Sequence, residues 1–182
     1  MANISSMSDL RWDDLQDDLG PGVNGVLPDG CVPCTTAADW NAVVALSRSR
    51  GWRLELTENH ERVALGAGDM LRFPGPDDRC VTMSIWPVPG IPVNFFVHPP
   101  SEINFDIDLR ELQTQERLDQ LGDFLRAMGR ELGKPILITP EGASNALHPF
   151  MEYDPRLDRI GAVPAEATHD EPRAACCDPR AT

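Results

Sequence analysis

The chain has 182 residues, the length of one domain, and its composition of 41% hydrophobic and 25% charged residues is ordinary for a globular protein. Its formal net charge is -13, and Lys134 is the only lysine. So acidic a surface repels phosphate backbones, which argues against nucleic acid and favours cationic partners. The alternative is that the acidity only keeps the chain soluble. No apolar run approaches the roughly 18 residues that a membrane span needs.

Residues 1–10 contain no basic residue ahead of an apolar segment, so no secretory signal is predicted. We therefore expect a soluble cytoplasmic protein with no membrane partner. The use of arginine in place of lysine is typical of a GC-rich bacterial genome.

Residues 1–35 are predicted to be an N-terminal extension. A short amphipathic helix is predicted over residues 9–19, and the recurring glycine and proline after it indicate loop. A single domain is predicted over residues 36–160. Residues 161–182 have few large apolar side chains and are predicted to be a disordered tail.

Helix and strand signals begin at residue 36. Thr36, followed three residues later by Asp39, resembles a capping box, and Gly51 ends the helix. Alternating apolar and polar residues then predict short strands near residues 52–56, 62–65 and 70–73.

Three further strand patterns between Val81 and Asp108 sort their side chains onto two faces, because side chains alternate across a strand. One face is apolar and is predicted to be core: Val81, Met83, Ile85, Val93, Phe95, Val97, Ile103, Phe105 and Ile107. The other face mixes aromatic, amide and acidic side chains: Thr82, Ser84, Trp86, Asn94, Phe96, His98, Asn104, Asp106 and Asp108.

Aromatic rings among polar groups are typical of interface hot spots. The mixed face is therefore predicted to bind a partner through six residues: Trp86, Asn94, Phe96, Asn104, Asp106 and Asp108. The alternative is that the first helix or the segment around Trp12 covers this face, which would make the rings ordinary core.

A long helix is predicted over residues 112–132, where leucine and methionine recur every three or four residues and form one stripe. Gly122 and Gly129 border the stripe and predict close approach of the helix backbone to the sheet. Gly133 ends the helix, and two more strands are predicted near residues 136–138 and 149–153. Runs of strands indicate an α+β fold. We expect a mostly antiparallel sheet of about six strands, a long helix packed on one face and a shorter N-terminal helix.

Cys31 and Cys34 form a C-x-x-C motif ahead of the first predicted helix of the domain. A helix N-terminus lowers the pKa of a thiol, as a redox dithiol requires, but no strand is predicted before the motif. With Cys176 and Cys177 the motif would supply four thiolates for zinc, although adjacent cysteines are poorly spaced for chelation. We expect reduced cysteines with no metal or redox role, and no cofactor.

Asp106 and Asp108 form a D-x-D pair on the face that carries Asn104, and such a pair can hold Mg²⁺ or Ca²⁺. A third carboxylate would be needed, and there are three candidates: Glu102, Glu141 and Asp154. The histidines are scattered along the chain: His60, His98, His148 and His169. No nucleophile elbow, P-loop or dinucleotide-binding motif is present. No catalytic residue and no metal ligand are predicted.

Residues 117–142 (RLDQLGDFLRAMGRELGKPILITPEG) and 149–154 (PFMEYD) resemble small α+β immunity proteins encoded beside bacterial polymorphic toxins. The resemblance rests on pattern and acidity and carries over no individual functional residue. It implies a non-enzymatic cytoplasmic inhibitor that covers the active site of a toxin.

The sequence thus predicts an acidic binding protein that neutralises a basic protein partner, and it does not predict an enzyme. Two alternatives stay open. One is a small metal-dependent enzyme that uses Asp106 and Asp108 with His98 or a further carboxylate. The other is a small-ligand-binding module with a pocket between sheet and helix, which Trp86 would line.

Overall fold

The structure, a computed structural model, describes residues 10–20, 22–66, 68–74, 80–98, 100–143 and 148–163. Within these ranges the chain forms one sheet in which every neighbouring pair of strands is antiparallel. The predicted α+β class with an antiparallel sheet is confirmed. The prediction of about six strands is wrong, because the sheet has nine. No helix in the described ranges combines the length and apolar character needed to cross a membrane.

The strands are β1 Asp29–Pro33, β2 Arg53–Glu58, β3 Glu61–Val63, β4 Val81–Val88, β5 Ile91–Phe96, β6 Glu102–Ile107, β7 Ile136–Thr139, β8 Met151–Asp154 and β9 Arg159–Ala162. The helices are α1 Trp12–Leu15, α2 Ala37–Ser49 and α3 Gln115–Leu132, with a 3₁₀ turn at Leu109–Glu111. The order across the sheet is β3-β2-β4-β5-β6-β1-β7-β8-β9. β1 therefore joins two groups of strands, β2–β6 and β7–β9, into one sheet.

Glycine and proline in and around β1 predict loop, whereas the segment is a strand in the middle of the sheet. Gly30 pairs with Phe105 on one side and with Ile138 on the other. A Cβ atom at Gly30 would lie 2.1 Å from Cε2 of Phe105, so the ring fills the space above the glycine. The glycine that suggests loop is thus required by the core. The sheet includes residues ahead of the predicted boundary at residue 36.

The segment before β1 packs against α3. Its helix spans four residues instead of the predicted 9–19, and Asp9 lies outside the described residues. Three leucines of this segment are buried: Leu10, Leu15 and Leu19. The side-chain amide of Gln115 accepts from Trp12 N at 2.6 Å and donates to Leu10 O at 2.9 Å. This segment thus contributes to the core.

The predicted capping box at the start of α2 is confirmed. Thr36 N donates to Asp39 Oδ2 at 2.7 Å, and Asp39 N donates to Thr36 Oγ1 at 3.4 Å. Lys134 Nζ lies 2.7 Å from the same carboxylate oxygen. Burial raises the pKa of Asp39, but hydrogen bonds from Lys134 and Thr36 outweigh it, so the net pKa is lowered.

The strand predicted at residues 70–73 does not form. Leu71 is buried, and its backbone N–H donates to Asn41 Oδ1 of α2 at 2.8 Å. A side chain of the helix thus takes the donor that a neighbouring strand would have used.

The described contacts of α2 and α3 with the sheet lie on one face. Trp40 of α2 and Phe124 of α3 place their rings 6.4 Å and 6.5 Å from the ring of Phe95. A Cβ atom at Gly129 of α3 would lie 2.1 Å from Cε1 of Tyr153, which shows how closely the helix backbone approaches β8. The apolar faces of the strands and both helices thus form the core.

β9 was not predicted, and it covers part of the predicted tail. Ile160 is buried, and Val163 N donates to Phe150 O at 2.9 Å just past the strand. The rest of the predicted tail, residues 164–182, lies outside the described residues.

Candidate functional site

The face of the sheet opposite to α2 and α3, called the open face below, is made of alternate residues of successive strands. Residues paired across antiparallel strands share a face, so the register arranges these side chains in rows. One row contains Glu55, Ser84, Asn94, Asp106, Asp29 and Thr139. The next contains Arg62, Thr57, Thr82, Phe96, Asn104, Cys31, Leu137 and Glu152. Apart from buried Thr139 and exposed Arg62, all of them are partly exposed.

Hydrogen bonds between side chains tie the first row together. Ser84 Oγ donates to Asn94 Oδ1 at 2.8 Å, and Asn94 Nδ2 donates to Asp106 Oδ1 at 2.8 Å. These bonds span β4, β5 and β6 and hold the Asp106 carboxylate in a fixed position. Asn94 and Asp106, both predicted site residues, are thus brought into direct contact.

Asp106 stands beside a second carboxylate that the sequence analysis missed. It pairs in register with Asp29 of β1, and side chains directly opposite across a sheet have Cβ atoms about 4.5–5.5 Å apart. Burial raises the pKa of Asp106, the hydrogen bond from Asn94 lowers it, and the negative charges of Asp29, Asp108 and Glu141 raise it further. In the described part of the chain, no arginine or lysine forms an ion pair with Asp106 or Asp29.

Asp108 lies past the end of β6, and its carboxylate is occupied. It accepts from Arg110 Nε at 2.8 Å and from Arg110 Nη2 at 2.6 Å, and it caps the 3₁₀ turn through Arg110 N at 3.0 Å. The side-chain hydrogen bond from Arg110 lowers the pKa of Asp108. Asp108 therefore belongs to a local ion pair and does not share a metal site with Asp106.

Trp86 also has an internal partner. The Arg53 guanidinium carbon lies 4.2 Å from the centroid of the Trp86 ring, and the two residues pair in register across β2 and β4. Glu55 binds Arg53 on one carboxylate oxygen and Arg62 on the other, the latter at 3.0 Å. The chain's own arginines thus cover this end of the open face.

Phe96 and Asn104 pair in register in the second row, next to the Asn94–Asp106 pair of the same two strands. Both are partly exposed. Within the described residues, neither has an internal cation over it as Trp86 has. Of the predicted surface, Asn94, Phe96, Asn104 and Asp106 therefore form one available patch.

The two cysteines of the C-x-x-C motif are not bonded to each other. Cys31 lies in β1 as a free thiol, and its Sγ donates to Glu102 Oε2 at 3.8 Å. Burial, together with the negative charge of Glu102, raises the pKa of Cys31 to about 12. The prediction of reduced cysteines is wrong for Cys34, which is disulfide-bonded. Cys176 and Cys177 lie outside the described residues. Cys31 is thus the opposite of an activated thiol.

The described acids and histidines do not gather into a metal centre. In the ranges that the structure describes, no group of three His, Cys, Asp or Glu side chains is arranged to hold a metal ion. His60, His98 and His148 are exposed. His169 lies outside those ranges.

Glu141, named by the sequence only as a candidate metal ligand, instead holds the loop that leads into β1. Its Oε2 accepts from Val26 N at 2.7 Å and Leu27 N at 3.2 Å. Asp29 accepts in turn from Gly142 N at 2.9 Å. These bonds fix the start of β1 and so position Asp29 beside Asp106. No sequence motif indicates this role of Glu141, because it depends on contact between two segments that lie more than a hundred residues apart in the chain.

Comparisons with protein-family models, with curated proteins and with solved structures found no match.

Proposed function

We propose that this chain is an acidic binding protein that docks a basic protein partner on the part of the open face formed by β5, β6 and β1. In this proposal it acts as a non-enzymatic inhibitor, as the immunity proteins that residues 117–142 resemble would. One observation carries the proposal. Asp29 and Asp106 pair in register in the middle of the sheet, and no described arginine or lysine forms an ion pair with either.

The surroundings of this pair suit a protein interface. Phe96 offers a partly exposed ring in the adjacent row, and Asn104 offers amide hydrogen bonds beside it. An aromatic anchor with polar neighbours is the composition of an interface centre. The contacts of Asn94 with Ser84 and Asp106 fix the polar part in advance, which lowers the entropy cost of binding.

The net charge of -13 supports the same class of partner. A strongly negative protein attracts a positive one before contact and raises the association rate, and salt weakens this attraction. We expect the partner to be basic and its association to slow as ionic strength rises.

The two alternatives receive no comparable support. A metal-dependent enzyme on this face would need a third ligand beside Asp106 and Asp108, whereas Asp108 is paired with Arg110. A ligand pocket between sheet and helix would need Trp86 on the helix side, whereas Trp86 pairs with Arg53 on the open face.

The test is capture of a partner, followed by mapping of its footprint. Wild-type protein is used to isolate binding proteins from its native host. The affinity of the purified partner is then measured by calorimetry for wild type and for the double variant Phe96→Ala, Asp106→Asn. We expect the double variant to lose roughly 2 kcal/mol or more of binding free energy, about thirtyfold in affinity. Hydrogen exchange should show protection in β5, β6 and β1.

Asp14→Asn is the matched control, because Asp14 is exposed on α1, on the helix side of the molecule. It removes one charge without touching the open face and should bind like wild type. An acidic partner, or one that protects α2 and α3 instead of the open face, would rule out the proposal.

A further inference from the structure

The two aspartates at the centre of the open face occupy directly paired positions on β6 and β1. Asp106 accepts a hydrogen bond from Asn94 of β5 and Asp29 accepts one from Gly142 N after β7, so a neutral donor anchors each carboxylate. The strands that carry them pair from Asp29 to Pro33 in continuous register, which fixes their backbones as well. Like charges directly opposite across a sheet are destabilising.

The charged groups around Asp106 do not relieve this repulsion. β1 contributes Asp29, the residues after β6 contribute Asp108, and the turn after β7 contributes Glu141. β5 contributes the neutral Asn94. Among the described residues, Arg110 is the cation of this neighbourhood, and it is bound to Asp108.

Building on the proposed function, we infer that a proton and a cationic group of the partner compete for the Asp29–Asp106 pair. A guanidinium group can donate to two carboxylates at once through its planar fork, so the doubly ionised pair suits an arginine of the partner. Protonation of Asp106 leaves a single charge and removes one acceptor. The partner therefore binds the ionised pair, and acid releases it.

The same pair lowers the stability of the free protein at neutral pH. Burial and neighbouring acids raise the pKa of Asp106 above its unfolded value. The destabilisation is therefore present above the folded pKa and disappears as pH falls below the unfolded pKa. A group that stabilises by ionisation would show the opposite sign.

The first experiment needs no partner. Thermal unfolding of wild type and Asp106→Asn is compared at pH 7 and near pH 3.5. Asparagine keeps an oxygen acceptor for Asn94 and removes the charge. We expect the variant to unfold about 1–3 °C higher at pH 7 and to lose this advantage in acid. A variant that is equally or less stable than wild type at pH 7 would overturn the inference.

The second experiment uses a deca-arginine peptide as the probe, with calorimetry at constant ionic strength at pH 7 and pH 5. At pH 7, Asp106→Asn should bind the peptide more weakly than wild type by on the order of tenfold. Wild-type binding should weaken on acidification more than that of Asp106→Asn. Asp14→Asn serves as the control for general loss of negative charge and should follow wild type.

The outcomes separate the two proposals. If Asp106→Asn binds weakly but all three proteins lose affinity equally in acid, the basic-partner site stands and the competition with protons is wrong. If wild type and Asp106→Asn bind the peptide equally at pH 7, both the site and the competition are wrong.

Discussion

The two faces of β6 show how one strand serves two purposes. Ile103, Phe105 and Ile107 point into the core and are almost completely buried. Asn104 and Asp106, between them in sequence, lie on the open face and are partly exposed. The first set contributes stability through packing, whereas the second set includes a carboxylate placed against another carboxylate. The difference indicates that only one face of the sheet is optimised for folding.

The largest effect should come from the core side of β6. Phe105→Ala removes a ring that contacts Phe95, at a centroid distance of 5.2 Å, and fills the space over Gly30. We expect a loss of about 3–5 kcal/mol in the free energy of unfolding, measured in urea. Asn104→Ala, one residue away on the open face, should change it by about 0.5 kcal/mol or less. Similar losses in the free energy of unfolding for the two variants would show that the open face contributes to stability as much as the core face does.

Gly30→Ala tests the same contact from β1. The added methyl group would have to displace the Phe105 ring, and overpacking of this kind costs about 1–3 kcal/mol. Gly161→Ala is the matched control, because nothing lies within 4 Å of a Cβ atom at that strand position. Chemical denaturation of both variants gives the comparison. If Gly30→Ala leaves the free energy of unfolding unchanged, the Phe105 ring moves aside without cost.

Acidification should change the free energy of unfolding in opposite directions through Asp158 on the helix side and Asp106 on the open face. On the helix side, hydrogen bonds from Arg130 and from Tyr153 lower the pKa of Asp158 to about 2. This ionised group therefore stabilises the protein above its unfolded pKa, and the stability is lost as pH falls towards 2. The raised pKa of Asp106 has the opposite effect, because its ionised carboxylate destabilises the protein and protonation removes that destabilisation.

Asp158→Asn should accordingly be less stable than wild type at pH 6, and the difference should shrink between pH 4 and pH 2. Urea midpoints recorded across this range give the measurement. If the difference in stability between wild type and Asp158→Asn stays constant down to pH 2, the interaction with Arg130 and Tyr153 does not depend on the charge of the carboxylate.

The smallest effect concerns the covered end of the open face. Arg53→Ala should cost less than about 1 kcal/mol, since the ion pair is on the surface and the ring contact is exposed. It should, however, increase the quenching of Trp86 fluorescence by acrylamide. The same substitution in a Trp86→Phe background should leave quenching of the remaining tryptophans unchanged. Equal quenching with and without Arg53 would mean that the arginine does not shield the ring.

The strands of the β4–β6 meander could be predicted because their signal is local. Val93, Phe95 and Val97 alternate with polar residues, and this alternation alone gives the strand and its two faces. The capping box at Thr36 is local in the same way. β1 could not be predicted, because Gly30 suits a strand only when Phe105 is already above it.

The candidate site likewise contains residues that a local pattern identifies and residues whose role depends on distant strands. Asn94, Phe96, Asn104 and Asp106 could be assigned to one face from alternation. The role of Asp29 depends on register with β6, and the shielding of Trp86 depends on Arg53 of a strand 33 residues earlier. Which aromatic ring is available to a partner was therefore not readable from the sequence.

The central place of β1 has a consequence for how the chain reaches its final form. β1 is synthesised ahead of every other strand, yet its neighbours are β6 and β7, whose paired residues Asp106 and Thr139 follow Asp29 much later in the chain. The two groups of strands, β2–β6 and β7–β9, can assemble early from nearby segments, whereas β1 joins them only through distant contacts, which are slow to form. Until then, β6 and β7 each present an open edge. Completion of the sheet and creation of the paired-aspartate surface are thus the same late event.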